Sequence, residues 1–239
     1  MIPIQDQNPT HRFPAVTVAL IVLNIIAFIF EAPSLFSPDA WVPFADRWAL
    51  IPNQLTQAFG LEFYTIFSSM FLHGGLMHIG GNMLYLWIFG DNIEDKLGRG
   101  RFLVFYLLCG VIAALAHVMI DPDSRIPTIG ASGAVAGVLG GYLLLYPMVR
   151  VTTMIPILLF RRFQIPAWIL LGLWFAMQLF SGLSQTSETA GVAFWAHIGG
   201  FAAGFLLVRL IGPTREMNKE QVAYLNYLDE TDADGQGSF

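Results

Sequence analysis

Apolar residues run almost unbroken through six stretches of the chain, near residues 16–32, 76–90, 102–120, 126–148, 167–183 and 192–211, with polar clusters between them. A helix needs about 20 residues to cross roughly 30 Å of hydrocarbon, so the pattern predicts six transmembrane helices. The first run follows only Arg12 and is not trailed by a small-x-small cleavage site, which predicts a retained helix rather than a signal peptide. Two connections stand apart. Residues 33–75 carry Trp41, Phe44, Trp48, Leu50, Ile51, Phe59, Phe63, Tyr64, Phe67 and Phe71, too much apolar surface for a loop in water. They predict a segment partly embedded at the membrane interface, bracing the helices from the side. Residues 151–160 are apolar but too short to span, and Arg161-Arg162 follows directly, which predicts a second interfacial segment rather than a seventh helix. The tail after Gly212 is polar, with a short amphipathic stretch near 221–228, and predicts loose order. The expected fold is all-α: a polytopic bundle of six transmembrane helices at 16–212, with a long first outer loop, a short N-terminus at 1–15 and a polar tail at 213–239.

Composition supports the membrane reading. With 55% hydrophobic and 12% charged residues, the chain of 239 residues carries about half the charge usual for a soluble domain. The net charge of −5 says little about partners, because Asp229, Glu230, Asp232 and Asp234 crowd the tail, and nothing suggests nucleic acid. Cys109 is the single cysteine, which rules out an intramolecular disulfide or a cysteine-rich metal site. No metal or cofactor is implied.

Charge placement orients the chain. Cytoplasmic loops are enriched in Lys and Arg, and with the N-terminus inside, only Arg47 and Arg125 of the 12 basic residues fall outside. Both termini are expected to face the cytoplasm. On that topology the second, fourth and sixth spans enter from the outside, and each carries polar residues in its first turns: His78 with Asn82 one turn below, Ser132, and His197. The expected depth is roughly 8–10 Å below the outer surface. Small residues on the fourth span (Gly133, Ala136, Gly137, Gly140) and the sixth (Ala196, Gly200, Gly204) would let those helices touch.

Ionisable and strongly polar side chains in hydrocarbon are costly, so this layer reads as functional. The set suffices for acyl transfer. His197 would take the proton of Ser132 and return it to a leaving amine, while His78, Asn82 and the Ser132 backbone N–H would hold the developing oxyanion. No Asp or Glu lies in the spans near His197 to complete a triad, so slow turnover is expected from a dyad. Each residue alone has a plainer explanation: an intrahelical serine commonly bonds nearby backbone, and a lone histidine is commonly a packing contact. Ala134 also departs from the Gly-x-Ser-x-Gly elbow. Their coincidence at one depth carries the argument. His73 reads as an interfacial histidine, His117 as structural, and Glu94 as a cap or backbone partner.

Taken together and in order, these residues resemble the rhomboid intramembrane serine proteases. The similarity runs from about residue 61 to 204. It rests on His73-Gly-Gly-Leu-Met-His78-Ile-Gly-Gly-Asn82, on Gly90-Asp91-Asn92-Ile93-Glu94-Asp95-Lys96-Leu97-Gly98, on Gly130-Ala131-Ser132-Gly133 and on Ala196-His197-Ile198-Gly199-Gly200. The resemblance implies a six-helix bundle, a Ser132–His197 dyad, and oxyanion contacts from His78, Asn82 and Ser132. It also implies cleavage of single-span membrane proteins near the outer surface, with entry between the second and fifth spans and residues 184–191 as a cap. Two departures stand out. Tyr64-Thr65 replaces a Trp-Arg pair found in some members, and Ala136 stands where others place a tyrosine stacked on the histidine. His197 then needs another neighbour to orient it, with Phe194, Trp195 and Phe201 as candidates.

Two rival classes use the same residues: a transporter or channel, and an inactive protein that binds unstable membrane helices. Against a transporter, no internal repeat is visible and the layer lacks acids. Labelling at Ser132 by a fluorophosphonate separates the hydrolase from both. The expected partners are transmembrane protein substrates and the bilayer itself, and the expected location is a bacterial plasma membrane.

Overall fold

The computed structural model describes residues 2–155, 161–184 and 193–212, and most of them are helical. The elements in chain order are β1 (Ile2–Asp6), α1 (Ala15–Glu31), α2 (Pro38–Trp48), α3 (Pro52–Gln57), α4 (Phe59–Glu62), α5 (Thr65–Ser68), α6 (Leu76–Leu97), α7 (Arg99–Ile120), α8 (Ser132–Leu145), β2 (Arg150–Ile155), β3 (Arg161–Pro166), α9 (Ala167–Ser184) and α10 (Phe194–Ile211). Among the described residues, four helical segments are long and apolar enough to cross a membrane: α1 with the 3-10 turn that continues it, α7, α9 and α10. α6 has 22 residues but ends in the polar run Asp91–Lys96, and α8 has only 14.

α8 differs from the expected span at 126–148, and local chemistry explains both ends. Pro127 removes a backbone donor, and Gly130 takes φ of +125°, a conformation that side chains resist. Residues 126–131 are therefore not helical; Thr128 pairs with Leu50, and the Gly130 N–H donates to the Ser69 carbonyl at 2.9 Å. At the far end Pro147 follows the last turn. The helix that remains is about 21 Å long. Gly133 through Tyr142 are all buried, so α8 forms the axis of the bundle, with α6, α7 and α10 around it.

Glycines set how closely the axis is approached. A Cβ on Gly200 would overlap the Gly133 carbonyl, and one on Gly204 would overlap the Gly137 carbonyl, so α8 and α10 meet backbone to backbone at two levels one helical turn apart. α9 is more peripheral, with only Ala167, Leu170, Leu171 and Gly182 buried.

The segment between α1 and α6 packs on the bundle's flank. Leu50, Leu55 and Ile66 cluster with Ala114 and Val118 of α7, while Ala45, Ala49 and Leu72 form a second cluster with Trp41 and Phe44 against it. Polar ties fasten it: the Tyr64 hydroxyl donates to the Arg47 carbonyl, and the Ser68 hydroxyl to the Trp48 carbonyl at 2.7 Å. Tyr64 thus anchors the segment to the end of α2.

The all-α expectation needs one correction. β1, β2 and β3 form an antiparallel sheet in that order, with Ile2 opposite Met154 and Val151 opposite Ile165. Val151, Thr152, Thr153 and Ile155 are β-branched, and burial alternates along the first four residues of β2, as a half-buried strand requires. The partners of β2 are β3, which follows directly, and β1, about 150 residues away at the N-terminus. The Asp6 carboxylate pins the sheet to the bundle by accepting from the Tyr142 hydroxyl of α8 and from Asn92 Nδ2 of α6 at 3.1 Å. Burial pushes that carboxyl up to about 7.

Glu94 behaves as a cap, though of a different helix. Its carboxylate accepts from the N–H groups of Val16 (3.0 Å) and Thr17 (2.7 Å) and from the Thr17 hydroxyl (2.9 Å), closing the N-terminus of α1. The expected cap at 184–191, beyond Ser184, and the tail at 213–239 lie outside the described residues.

Candidate active site

Ser132 is the first residue of α8, held there by the Gly130 turn. The first intrahelical bond of α8 runs from the Val135 N–H to the Ala131 carbonyl, so the N–H groups of Ser132, Gly133 and Ala134 have no carbonyl within the helix to reach. They add their partial positive charge at the serine. His197 lies one turn into α10, and its Nε2 is 2.8 Å from Ser132 Oγ. The backbone contacts at Gly133–Gly200 and Gly137–Gly204 lie just below that pair and fix the spacing of the two helices that carry it.

A cavity of about 380 Å³ opens beside the pair, lined by His78, Asn82, Tyr85, Gly130, Ser132 and His197 among others. His78 Nδ1 accepts from the Gly74 N–H at 3.3 Å, so Nε2 is the nitrogen left to donate. That nitrogen lies against Gly130: a Cβ there would come within 2.8 Å of it. Glycine at 130 therefore serves two needs, the positive φ and room for the histidine. Asn82 is buried, and its Nδ2 has no hydrogen-bond partner among the described residues. Its side chain lines the same cavity as Ser132 and His197, where a buried amide donor would be costly to leave without a bond, about 1–3 kcal/mol. The four residues singled out in the sequence are thus brought to one cavity.

His73, read as an interfacial histidine, is fully buried. Its ring meets the His78 ring edge-on at 5.1 Å, and its backbone N–H donates to the buried Glu31 carboxylate at 2.7 Å. Burial, reinforced by His78, holds the His73 imidazole down at about 4. Sequence reasoning missed two neighbours of His197. Nδ1 of His197 is 2.8 Å from Gln178 Oε1, and the Trp174 ring lies 5.9 Å from the imidazole, both on α9. Phe194, one of the expected candidates, approaches edge-on at 6.5 Å. The missed signal was available: Gln178 is a strongly polar side chain inside an apolar helix, and Trp174 precedes it by one turn on the same face.

The sequence model of the rhomboid domain matches residues 60–214, about two thirds of the chain. The chain belongs to the rhomboid family. Relatives of this rhomboid include Rhomboid protease GluP of Bacillus subtilis, 31% identical over 63% of the chain and 26% of the relative. Rhomboid protein 1, mitochondrial, of Saccharomyces cerevisiae is 32% identical over 66% of the chain and 44% of the relative. RHOMBOID-like protein 4 of Arabidopsis thaliana is 33% identical over 64% and 36%. This rhomboid matches less than half the length of each of these relatives. Family membership and the long apolar helices make it an integral membrane protein.

Proposed function

We propose that this rhomboid is an intramembrane serine endopeptidase that hydrolyses peptide bonds in or near the transmembrane segments of other membrane proteins. The 2.8 Å approach of His197 Nε2 to Ser132 Oγ, beside a cavity lined by unused donors, carries the reading. Ser132 is the nucleophile. As its Oγ bonds to the scissile carbonyl carbon, its proton passes to His197 Nε2 and the carbonyl oxygen becomes an oxyanion. That oxyanion receives hydrogen bonds from Asn82 Nδ2, His78 Nε2–H and the Ser132 N–H, the last at the head of α8, where the helix favours negative charge. His197 then protonates the leaving amine, the C–N bond breaks, and water repeats the sequence in reverse to release the acyl group. A 380 Å³ cavity far exceeds the roughly 10–15 Å³ that one water needs, so it can supply that step.

In this proposal α1, α6, α7, α8, α9 and α10 cross the bilayer, both termini are cytoplasmic and the membrane is a bacterial plasma membrane. The distribution of Lys and Arg supports the orientation, and reporter fusions at the two ends test it. The recessed start of α8 supports a site below the outer surface, and the exposed Phe36, Phe59 and Leu61 support an embedded first loop. The functional test is cleavage of a transmembrane substrate in liposomes. Ser132→Ala and His197→Ala are expected to abolish it, with fluorophosphonate labelling lost in the Ser132 variant. Undiminished cleavage by Ser132→Ala would refute the nucleophile.

A further inference from the structure

We propose that Gln178 is a positioning residue that fixes the working tautomer of His197, so that the dyad operates with a neutral amide where a triad has an acid. The inference rests on the serine-protease reading of Ser132 and His197. His197 must present a lone pair on Nε2 to receive the serine proton, which requires its ring hydrogen on Nδ1. Which nitrogen carries the hydrogen is set by the bond the other one makes. Nδ1 lies 2.8 Å from Gln178 Oε1, an atom that accepts and never donates, so this contact selects Nδ1–H and leaves Nε2 free toward Ser132.

The same contact persists through the reaction. Once Nε2 takes the proton, both ring nitrogens carry hydrogen, and the amide oxygen still accepts from Nδ1 while Nε2–H faces the leaving amine. A rotated amide would donate from its NH₂ group to Nδ1, put the ring hydrogen on Nε2 and block the base. Only the oxygen-inward rotamer is compatible with both states. Trp174, one turn before Gln178, lies tilted beside the imidazole with planes 37° apart and stacks on Phe201 of α10. α9 therefore supplies a ring that limits the tilt of His197 and an oxygen that fixes its proton. Ala136 of α8 carries no ring, and Trp174 approaches the imidazole from α9.

The test uses the full chain, with ¹⁵N-histidine labelling and a transmembrane substrate. The His197 ring, assigned by its disappearance in His197→Ala, is expected as the Nδ1–H tautomer. Gln178→Leu should move it toward Nε2–H and lower kcat about tenfold, the worth of one ordinary hydrogen bond, with KM unchanged. Gln178→Glu should keep Nδ1–H, retain most of kcat and move the acid limb of the pH–rate profile upward. An unchanged tautomer in Gln178→Leu, or one pH profile shared by all three proteins, would overturn the proposal. The tautomer is read without turnover. A wild type holding Nδ1–H through Gln178 whose cleavage survives Ser132→Ala would sink the protease reading and leave the positioning contact standing.

Discussion

Adding one methyl group at Gly204 tests whether helix packing sets the catalytic distance. The Cβ of Gly204→Ala would overlap the Gly137 carbonyl and stand 2.6 Å from Gly137 Cα. Carbon atoms in comfortable contact sit about 3.5–4.0 Å apart, and the carbonyl overlap is closer still, so α10 must retreat from α8 by at least about 1 Å. Both obstructing groups are backbone, which cannot rotate aside. His197 is seven residues before Gly204, about 10 Å up the same helix, and moves with it. Its 2.8 Å bond to Ser132 Oγ would then exceed hydrogen-bonding length. A 1 Å misplacement costs about 10²-fold in rate, and overpacking costs about 1–3 kcal/mol of stability. Gly172→Ala is the control, because a Cβ there meets nothing within 4 Å. Steady-state cleavage of a transmembrane substrate, with thermal unfolding in the same detergent, should show kcat about 10²-fold lower in Gly204→Ala and unchanged in Gly172→Ala. Equal kcat in Gly204→Ala and wild type would refute the claim that the glycine contacts govern the Ser132–His197 distance.

Three further outcomes follow from the same geometry. Asn82→Ala should lower kcat on the order of 10²-fold with little change in KM, as expected for a donor used only in the transition state; a pure KM effect would place Asn82 in substrate binding. Glu94→Gln leaves one of the α1 N-terminal donors facing an amide NH₂ instead of a carboxylate, which should lower stability by about 1.5–3 kcal/mol, read as an earlier unfolding transition in denaturant. Asp6, held up at about 7 by burial, contributes stability that is complete below the ordinary carboxylate pKa and lost as pH rises through about 7. Asp6→Asn should therefore match wild type at acidic pH and exceed it above neutrality in thermal unfolding. Parallel pH curves for the two proteins would contradict this account.

Several parts of the protein were legible in the linear pattern because they rest on local chemistry. Long apolar runs gave the positions of the helices, and His78, Asn82, Ser132 and His197 stood out because polar groups are costly in such runs. Where local and distant partners compete, the pattern misled. The run from 126 reads as one span by hydropathy, yet Pro127 and Gly130 divide it and leave Ser132 at a helix head. Residues 151–155 look like an interfacial stretch until β1 and β3 pair on either side. Glu94 was recognisable as a cap, but its partners at Val16 and Thr17 lie more than 70 residues earlier.

The sequence by itself determined the membrane class, the order of the helices, the residue types available for chemistry and the small faces that allow close approach. Each follows from the periodicity of a single element or from the cost of a polar group in hydrocarbon. Tertiary structure alone decided that Gln178 and Trp174 of α9 meet His197, that Glu31 holds His73 behind His78, and that Asp6 ties a sheet to the end of the bundle. These contacts join side chains from separate elements. Their geometry depends on helix rotation and crossing, which a one-dimensional pattern of apolar and polar positions does not specify.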